Sequence, residues 1–279
     1  MKTLNPTKLT IMEMYQQFAR NKHIEEVDVY SADLSVPFKL NGYMEEWPAL
    51  KLWDSTFLTK EFGDTLLNAS KHTTKNSSSR TFSLKGYLQY MNKTRAANPY
   101  YLKDCKFHLG TKMELHYTAP NIFNCWYKTI PVKERKTTLS WLYIGAKGTF
   151  SRLHLDIWNT SAWNAVITGA KLWLFYPPDN QQYLYNGAVN PFFPDLEKFP
   201  DFAFARPLIA LQRPGEIIHT PSNWWHAVYN LEKGVSLTEN FINDSNYANV
   251  LAYFQEKSPK SYQSLLELIN QNKTTAIYE

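Results

Sequence analysis

Cysteine is scarce in this 279-residue chain: Cys105 and Cys125 are too few for a disulfide framework and show no zinc-ligand spacing. Long apolar runs are missing as well. No stretch approaches the roughly 18 apolar residues that a membrane-spanning helix needs, and Met1-Lys2 leads into polar residues rather than the apolar segment of a secretory signal. Charge of one sign is nowhere concentrated. The formal net charge is +5, and the longest basic stretch, Lys133-Glu134-Arg135-Lys136, contains an acid. So small an excess mildly favours anionic partners and gives no ground for nucleic-acid binding. No internal repeat is visible. These absences point away from membranes and disulfide-rich secreted scaffolds. A cytoplasmic location is expected, or a nuclear one in a eukaryote.

Aromatic residues are what the chain has in quantity, with 9 Trp, 18 Tyr and 16 Phe in a hydrophobic fraction of 44%. That suffices for a sizeable core, either one domain or a barrel with an accessory lobe. The most informative short motif is His154-Leu155-Asp156, answered by His226 in Trp224-Trp225-His226. On a strand, residues i and i+2 share a face, so His154 and Asp156 can grip one ion with Leu155 packed behind. Two imidazoles and a carboxylate are the ligands of a facial triad, which suits Fe(II) and leaves coordination positions open. The remaining histidines, His23, His72, His108 and His116, have no such spacing. His219, seven residues before His226, reads as structural.

Between the ligands run Ser161 to Ile167 and Ala170 to Tyr176, two apolar segments around Thr168-Gly169 that read as a β-hairpin. A two-residue loop there sets Lys171 opposite Val166, on the face of Asn164. Burying an unpaired ammonium is costly. Lys171 is therefore either an edge lysine whose head reaches water or the partner of an anion brought from outside, such as a dicarboxylate. Val235 to Ile242 alternates in the same way, with Ser236, Thr238 and Asn240 on one face and Leu237 and Phe241 on the other. That polar face lines a cavity or is solvated. A four-residue loop before this strand would pair His226 with Glu239, so an irregularity is expected there.

Taken together, His154-x-Asp156, Asn164, Lys171, the Pro214-Gly215-Glu216 turn, Pro221-x-x-Trp224-Trp225-His226 and Thr238-x-Asn240-Phe241 resemble the Jumonji-C and cupin-like oxygenases, small hydroxylase branch. The similarity runs from about Val27 to Phe241. It implies a mainly β fold with flanking helices around a double-stranded β-helix of the jelly-roll or cupin kind. It also implies Fe(II), with 2-oxoglutarate and O2 as co-substrates and succinate and CO2 as products. Carried over by position, His154, Asp156 and His226 are the metal ligands and catalytic centre. Lys171 holds the far carboxylate of 2-oxoglutarate, joined by Tyr101, or by Tyr100 if the register is off by one. Asn164, Thr238, Asn240 and Ser151 line the co-substrate pocket. Asn159-Thr160-Ser161 is formally a glycosylation sequon, but a glycan three residues after Asp156 would block such a site.

The resemblance divides the chain into an N-terminal mixed α/β buttress (1–100), a β-helix core (101–244) and C-terminal helices (245–279). Helical periodicity marks Leu9 to Arg20, Phe57 to Leu67, Phe82 to Met91, Tyr247 to Gln255 and Ser261 to Gln271. Ser31 to Leu40 looks strand-like and Lys71 to Arg80 reads as a polar loop. Gln181 to Arg213 is an irregular insert of the kind that caps the active-site side in relatives. The apolar stripe of Leu265, Leu266, Leu268 and Ile269 either packs on the barrel or makes a homodimer. The favoured function is hydroxylation of an amino-acid side chain in a protein or peptide. Hydroxylation of a small molecule or free amino acid, N-methyl-lysine or -arginine demethylation, and non-catalytic binding are the alternatives. A lysyl or arginyl substrate calls for an acid near the metal, with Glu216 and Glu239 as candidates.

Overall fold

From Ser140 to Phe241 the alternating segments become eight strands: β6 (Ser140–Gly145), β7 (Phe150–His154), β8 (Ser161–Thr168), β9 (Lys171–Tyr176), β10 (Leu208–Gln212), β11 (Ile217–Thr220), β12 (Trp225–Asn230) and β13 (Gly234–Phe241). In this computed structural model, residues 22–72 and 77–275 are described. The expected helix over Leu9 to Arg20 lies outside them. The eight strands divide evenly between two sheets. β6, β8, β11 and β13 belong to the larger, and β10, β9, β12 and β7 form the smaller in that order. This is the expected double-stranded β-helix. Side chains from both sheets line one cavity, including Asn164 and Thr238 from one and Lys171 and His226 from the other.

This arrangement overturns the hairpin reading of Thr168-Gly169. β8 pairs with β11 and β13, whereas β9 pairs with β10 and β12, so the turn carries the chain from one sheet to the other. Lys171 therefore stands opposite Gln212 and Asn230 rather than Val166. It still faces Asn164, across the cavity instead of along a ladder. The expected pairing of His226 with Glu239 disappears for the same reason, because β12 and β13 lie in different sheets. The two crossing links touch closely. A Cβ on Gly169, whose φ is +85°, would come within 2.6 Å of the Lys233 carbonyl oxygen, which only glycine avoids.

The N-terminal part is continuous with the barrel. β1 (Glu25–Val27) and β2 (Phe38–Leu40) extend the larger sheet beyond β11. Helices α1 (Pro48–Leu52) and α2 (Ser55–Phe62) follow, then β3 (Leu66–His72), β4 (Ser77–Ser83), α3 (Leu84–Lys93) and β5 (Tyr101–Cys105). β5 joins the sheet at β6, with β3 and β4 outside it. Phe38, Leu40, Trp47 and Trp53 bury the outer face of that sheet together with Trp163, Ala165, Leu237 and Phe241.

Several local expectations are corrected. The strand in Ser31 to Leu40 is confined to Phe38–Leu40. The helix expected over Phe57 to Leu67 ends at Phe62, and Leu66 opens a strand. Phe82 lies in β4, since Ser83 caps α3 by accepting from the Gly86 N–H at 3.1 Å. Lys71 and Arg80 belong to a β3–β4 ladder rather than to a polar loop. The insert folds as short 3₁₀ turns and ends in β10. Its Leu184, Val189, Phe192 and Phe202 pack with Leu172, Leu174 and Tyr176. That is the face of β9 turned away from Lys171, so the insert mainly covers the back of the small sheet, with Ala188 reaching Arg152. Helices α4 (Tyr247–Lys257) and α5 (Pro259–Thr275) come last. Leu265, Leu268 and Ile269 are buried with Trp126, Ile242 and Val250, so the apolar stripe packs on the barrel.

Candidate active site

β7 and β12 are antiparallel neighbours, and their register sets His154 directly opposite His226. The two rings lie 4.2 Å apart between centroids. β7 ends at His154, but the chain stays extended through Asp156 (φ −66°, ψ 160°), which keeps both side chains on one side. One ligand atom from each of His154, Asp156 and His226 lies within 4.8 Å of the others. His226 Nε2 lies 3.9 Å from Asp156 Oδ1.

Both imidazoles are oriented from behind. His154 Nδ1 donates to the Arg152 carbonyl at 2.6 Å, and His226 Nδ1 donates to the Trp224 carbonyl at 3.0 Å. A carbonyl only accepts, so each ring carries its proton on Nδ1 and turns a lone pair on Nε2 toward Asp156. Burial, then the neighbouring His226, pushes His154 down to about 3, which keeps it neutral. Burial raises Asp156, against the opposing pull of His226 and a hydrogen bond from Asn240. Asp156 Oδ2 is buried with no hydrogen-bond partner among the described residues. Two imidazoles oriented through Nδ1 and a carboxylate with an unused oxygen, all within one ion's reach, fit a divalent cation.

At the other end of the cavity lies Lys171, 6% exposed. Its Nζ donates to Asn230 Oδ1 at 2.9 Å and lies 3.4 Å from the Tyr101 hydroxyl. Among the described residues no carboxylate pairs with it, and burial pushes its ammonium down to about 7. An edge lysine reaching water is therefore ruled out. The geometry fits an anion entering the cavity. Tyr101, not Tyr100, makes this contact; Tyr100 turns away, its hydroxyl 3.4 Å from Ser78 Oγ.

Asn164 Nδ2 donates to Thr238 Oγ1 at 2.7 Å across β8 and β13, and Asn164 Oδ1 has no partner among the described residues. Asn240 is anchored to Thr160 Oγ1 at 2.9 Å. The polar face of β13 is thus a cavity wall and not a solvated surface. Ser151 lines both this cavity and a wider mouth of about 490 Å³, walled by Lys103, Asp104, Trp141, Tyr143, Arg152, Ile157 and Asn240. A register shift between His226 and Val228 turns both Ser151 and His154 inward.

Some candidates fall elsewhere. Glu216 accepts from Lys39 at 3.1 Å and lines neither the cavity nor its mouth. Glu239 is buried against Tyr117 (2.8 Å) and Lys128 (2.6 Å), on the opposite face of β13 from Thr238. The acid that does line the mouth besides Asp156 is Asp104. His219 is buried among Phe38, Phe123 and Phe241 and takes no part in the site. Sequence reasoning missed Asn230, although the alternation His226, Val228, Asn230 would have found it. Gly145 was missed too: a Cβ there would meet Asn230 Nδ2 at 2.4 Å and Tyr101 at 2.8 Å.

Residues 25–249 match the family described as a cupin-like domain. The chain is 31% identical over 245 residues to an arginine-specific demethylase, JMJ22, of Arabidopsis thaliana, covering 82% of this chain and 46% of that protein. It is 28% identical to the 2-oxoglutarate and iron-dependent oxygenase JMJD4 of Gallus gallus, over 77% of this chain and 56% of the relative. Similarity to the bifunctional arginine demethylase and lysyl-hydroxylase psr-1 of Caenorhabditis elegans is 25%, over 76% and 56%. The chain thus spans about half the length of these curated relatives.

Proposed function

This chain belongs to the cupin-like domain family, and from that premise we propose that it is an Fe(II)- and 2-oxoglutarate-dependent dioxygenase that hydroxylates an amino-acid side chain in a protein or peptide. The observation that carries the reading is the pairing, in one cavity, of the His154–Asp156–His226 cluster with a buried Lys171 that has no acid beside it among the described residues. His154, Asp156 and His226 would hold the iron. Lys171 and Tyr101 would receive the distal carboxylate of 2-oxoglutarate, with Asn164, Thr238, Ser151 and Asn240 along the wall. When bound, iron and 2-oxoglutarate supply with O2 the oxidising power for C–H hydroxylation, and 2-oxoglutarate leaves as succinate and CO2.

The chain's own contribution is orientation and exclusion of water. The Arg152 and Trp224 carbonyls fix the imidazole rings, and Thr160 anchors Asn240 beside them. Trp173 and Val228 close the inner cavity with apolar walls, so Lys171 meets its anion in a poorly hydrated setting. The wide mouth favours a side chain presented on a polypeptide. Asp104 at its edge suits a lysyl or arginyl cation.

The experiment is anaerobic binding of Fe(II) and 2-oxoglutarate, then succinate measurement after oxygen is admitted, with Asp156→Ala alongside. Succinate formation that depends on Asp156 supports the reading; no binding by well-folded wild type defeats it. A second reading, N-demethylation, is favoured by the name of the JMJ22 relative. Formaldehyde release from methylated peptides would select it over a stable gain of one oxygen on the unmethylated ones.

A further inference from the structure

Three cations stand in order from the mouth to the floor of the cavity. Arg152 is exposed at the rim, where its guanidinium donates to the Ala188 carbonyl at 3.4 Å. Lys103 is half-buried, its Nζ 6.0 Å from the centroid of the Tyr101 ring. The hydroxyl of the same tyrosine lies 3.4 Å from Lys171 Nζ. The mouth and the inner cavity are continuous, sharing Tyr143, Ser151, His154 and Asp156 as walls.

We propose that Arg152 and Lys103 are steering residues that draw the dicarboxylate co-substrate through the mouth toward Lys171. The inference rests on the reading of Lys171 as a carboxylate site. Local structure explains how the cations come to lie there. Tyr101 and Lys103, two residues apart on β5, share the inward face, while Leu102 points into the core behind the sheet. The ladder between β5 and β6 is shifted between Leu102 and Cys105, and Asp104 takes a left-handed φ of +58°. That bulge turns Asp104 to the mouth rather than into the apolar layer beside Leu102.

The charges facing this passage are Arg152 and Lys103 against Asp104, with Asp156 committed to the metal cluster. Asp104 is further engaged, since its Oδ1 accepts from the Tyr143 hydroxyl at 2.9 Å. Burial pushes the Lys103 ammonium down, Asp104 pulls it back up and Arg152 lowers it further. An arriving dianion relieves that like-charge contact. With Asp156 neutralised by the metal it would hold, Arg152, Lys103 and the deeper Lys171 outnumber Asp104, and a net excess of one sign in a cleft with low-dielectric walls raises association rates by roughly 10- to 1,000-fold, with a steep dependence on ionic strength. Screening acts over about 10 Å at 0.1 M salt, so the rim charge matters most in dilute buffer.

The test is stopped-flow association of 2-oxoglutarate with the anaerobic Fe(II)-loaded protein, followed by tryptophan fluorescence from a cavity that Trp173 lines. Lys103→Gln and Arg152→Gln should each slow association by about three- to tenfold at low salt, within the range such fields provide. Dissociation rates should change by less than about twofold, and the difference should close as salt is raised past the screening regime. Lys103→Arg should keep the wild-type rate, and Lys85→Gln, exposed on α3 at a separate surface pocket, should change nothing. Unchanged association in the two Gln variants overturns the proposal, as does a loss equally large at high salt. If wild type with Fe(II) binds no 2-oxoglutarate, the oxygenase reading fails and the steering role falls with it.

Discussion

Asn159 grips Asn223 with both ends of its carboxamide. Its Nδ2 donates to Asn223 Oδ1 at 2.5 Å, and its Oδ1 accepts from the Asn223 backbone N–H at 2.9 Å. One residue lies three positions after Asp156 and the other three before His226, so this pair ties together the two arms that carry the cluster. Both sit in the left-handed region, at φ +56° and +65°, which asparagine tolerates better than most residues. Ser222 adds a third strut, its hydroxyl donating to the Asn159 carbonyl at 2.6 Å.

Loss of this clamp should loosen metal binding without touching a ligand. Asn159→Gly keeps the backbone at ease and removes only the side chain, so it isolates the clamp from strain. Its Fe(II) dissociation constant, measured anaerobically by titration, should rise about tenfold or more, as for other groups that orient metal ligands. Asn159→Ala should show the same metal defect plus a lower Tm from the left-handed backbone. Wild-type metal affinity in Asn159→Gly would show that His154, Asp156 and His226 are held by the strands alone.

Lys171 predicts a trade of stability against binding. Its folded pKa, near 7, lies below the ordinary lysine value of 10.5. Folding therefore pays the full penalty below about pH 7, and the penalty fades as pH rises toward 10.5, where the unfolded chain also releases its proton. Lys171→Met keeps similar volume without the charge. The variant should melt a few degrees higher than wild type at pH 7 by calorimetry, with the gap narrowing toward pH 10. It should lose the thermal shift that 2-oxoglutarate gives the wild type. A variant that melts lower would mean that Asn230 and Tyr101 already satisfy the ammonium.

The metal cluster and Lys171 were legible in the sequence because their chemistry is rare in that spacing, and a buried lysine on an apolar strand demands a partner. The path of the chain between sheets was not. Thr168-Gly169 carries the composition of a hairpin turn, and nothing local tells a turn that folds a strand back on itself from one that passes it to a facing sheet. Lys103, Asp104 and Arg152 were passed over because charged residues near strand ends normally face water; only the bulge in β5 and the course of β7 bring them to one mouth. Glu239 misled for the converse reason. An acid between two cavity-facing residues must, by alternation, face the other way.

Gly145 gives a way to perturb the carboxylate end alone. An added Cβ would stand 2.4 Å from Asn230 Nδ2, 2.7 Å from Thr149 Oγ1 and 2.8 Å from Tyr101, all closer than real contacts allow. Asn230 and Tyr101 are the two groups that hold Lys171. Gly145→Ala should therefore raise KM for 2-oxoglutarate by about tenfold, the scale of one or two weakened hydrogen bonds, and leave the Fe(II) dissociation constant within about twofold. Equal damage to both would mean that the displacement spreads across the barrel.

Glu239 and Thr238 are neighbours on β13 with opposite faces, and substituting each should separate stability from binding. Glu239 is 3% exposed and accepts from Tyr117 and Lys128 behind the sheet. Thr238 accepts from Asn164 inside the cavity. Glu239→Gln keeps the shape but gives up the ion pair with Lys128, itself about half exposed, so the cost should be about 1–3 kcal/mol of unfolding free energy, read from denaturant melts. Its 2-oxoglutarate affinity should stay at the wild-type level. Thr238→Val, close to isosteric, leaves the Asn164 amide without its acceptor and should weaken 2-oxoglutarate binding several-fold with a smaller loss of stability. Reversed outcomes, with Glu239→Gln impairing binding and Thr238→Val impairing only stability, would require β13 to present its other face to the cavity. That would contradict the register pairing Thr238 with Asn164 and Glu239 with Trp163.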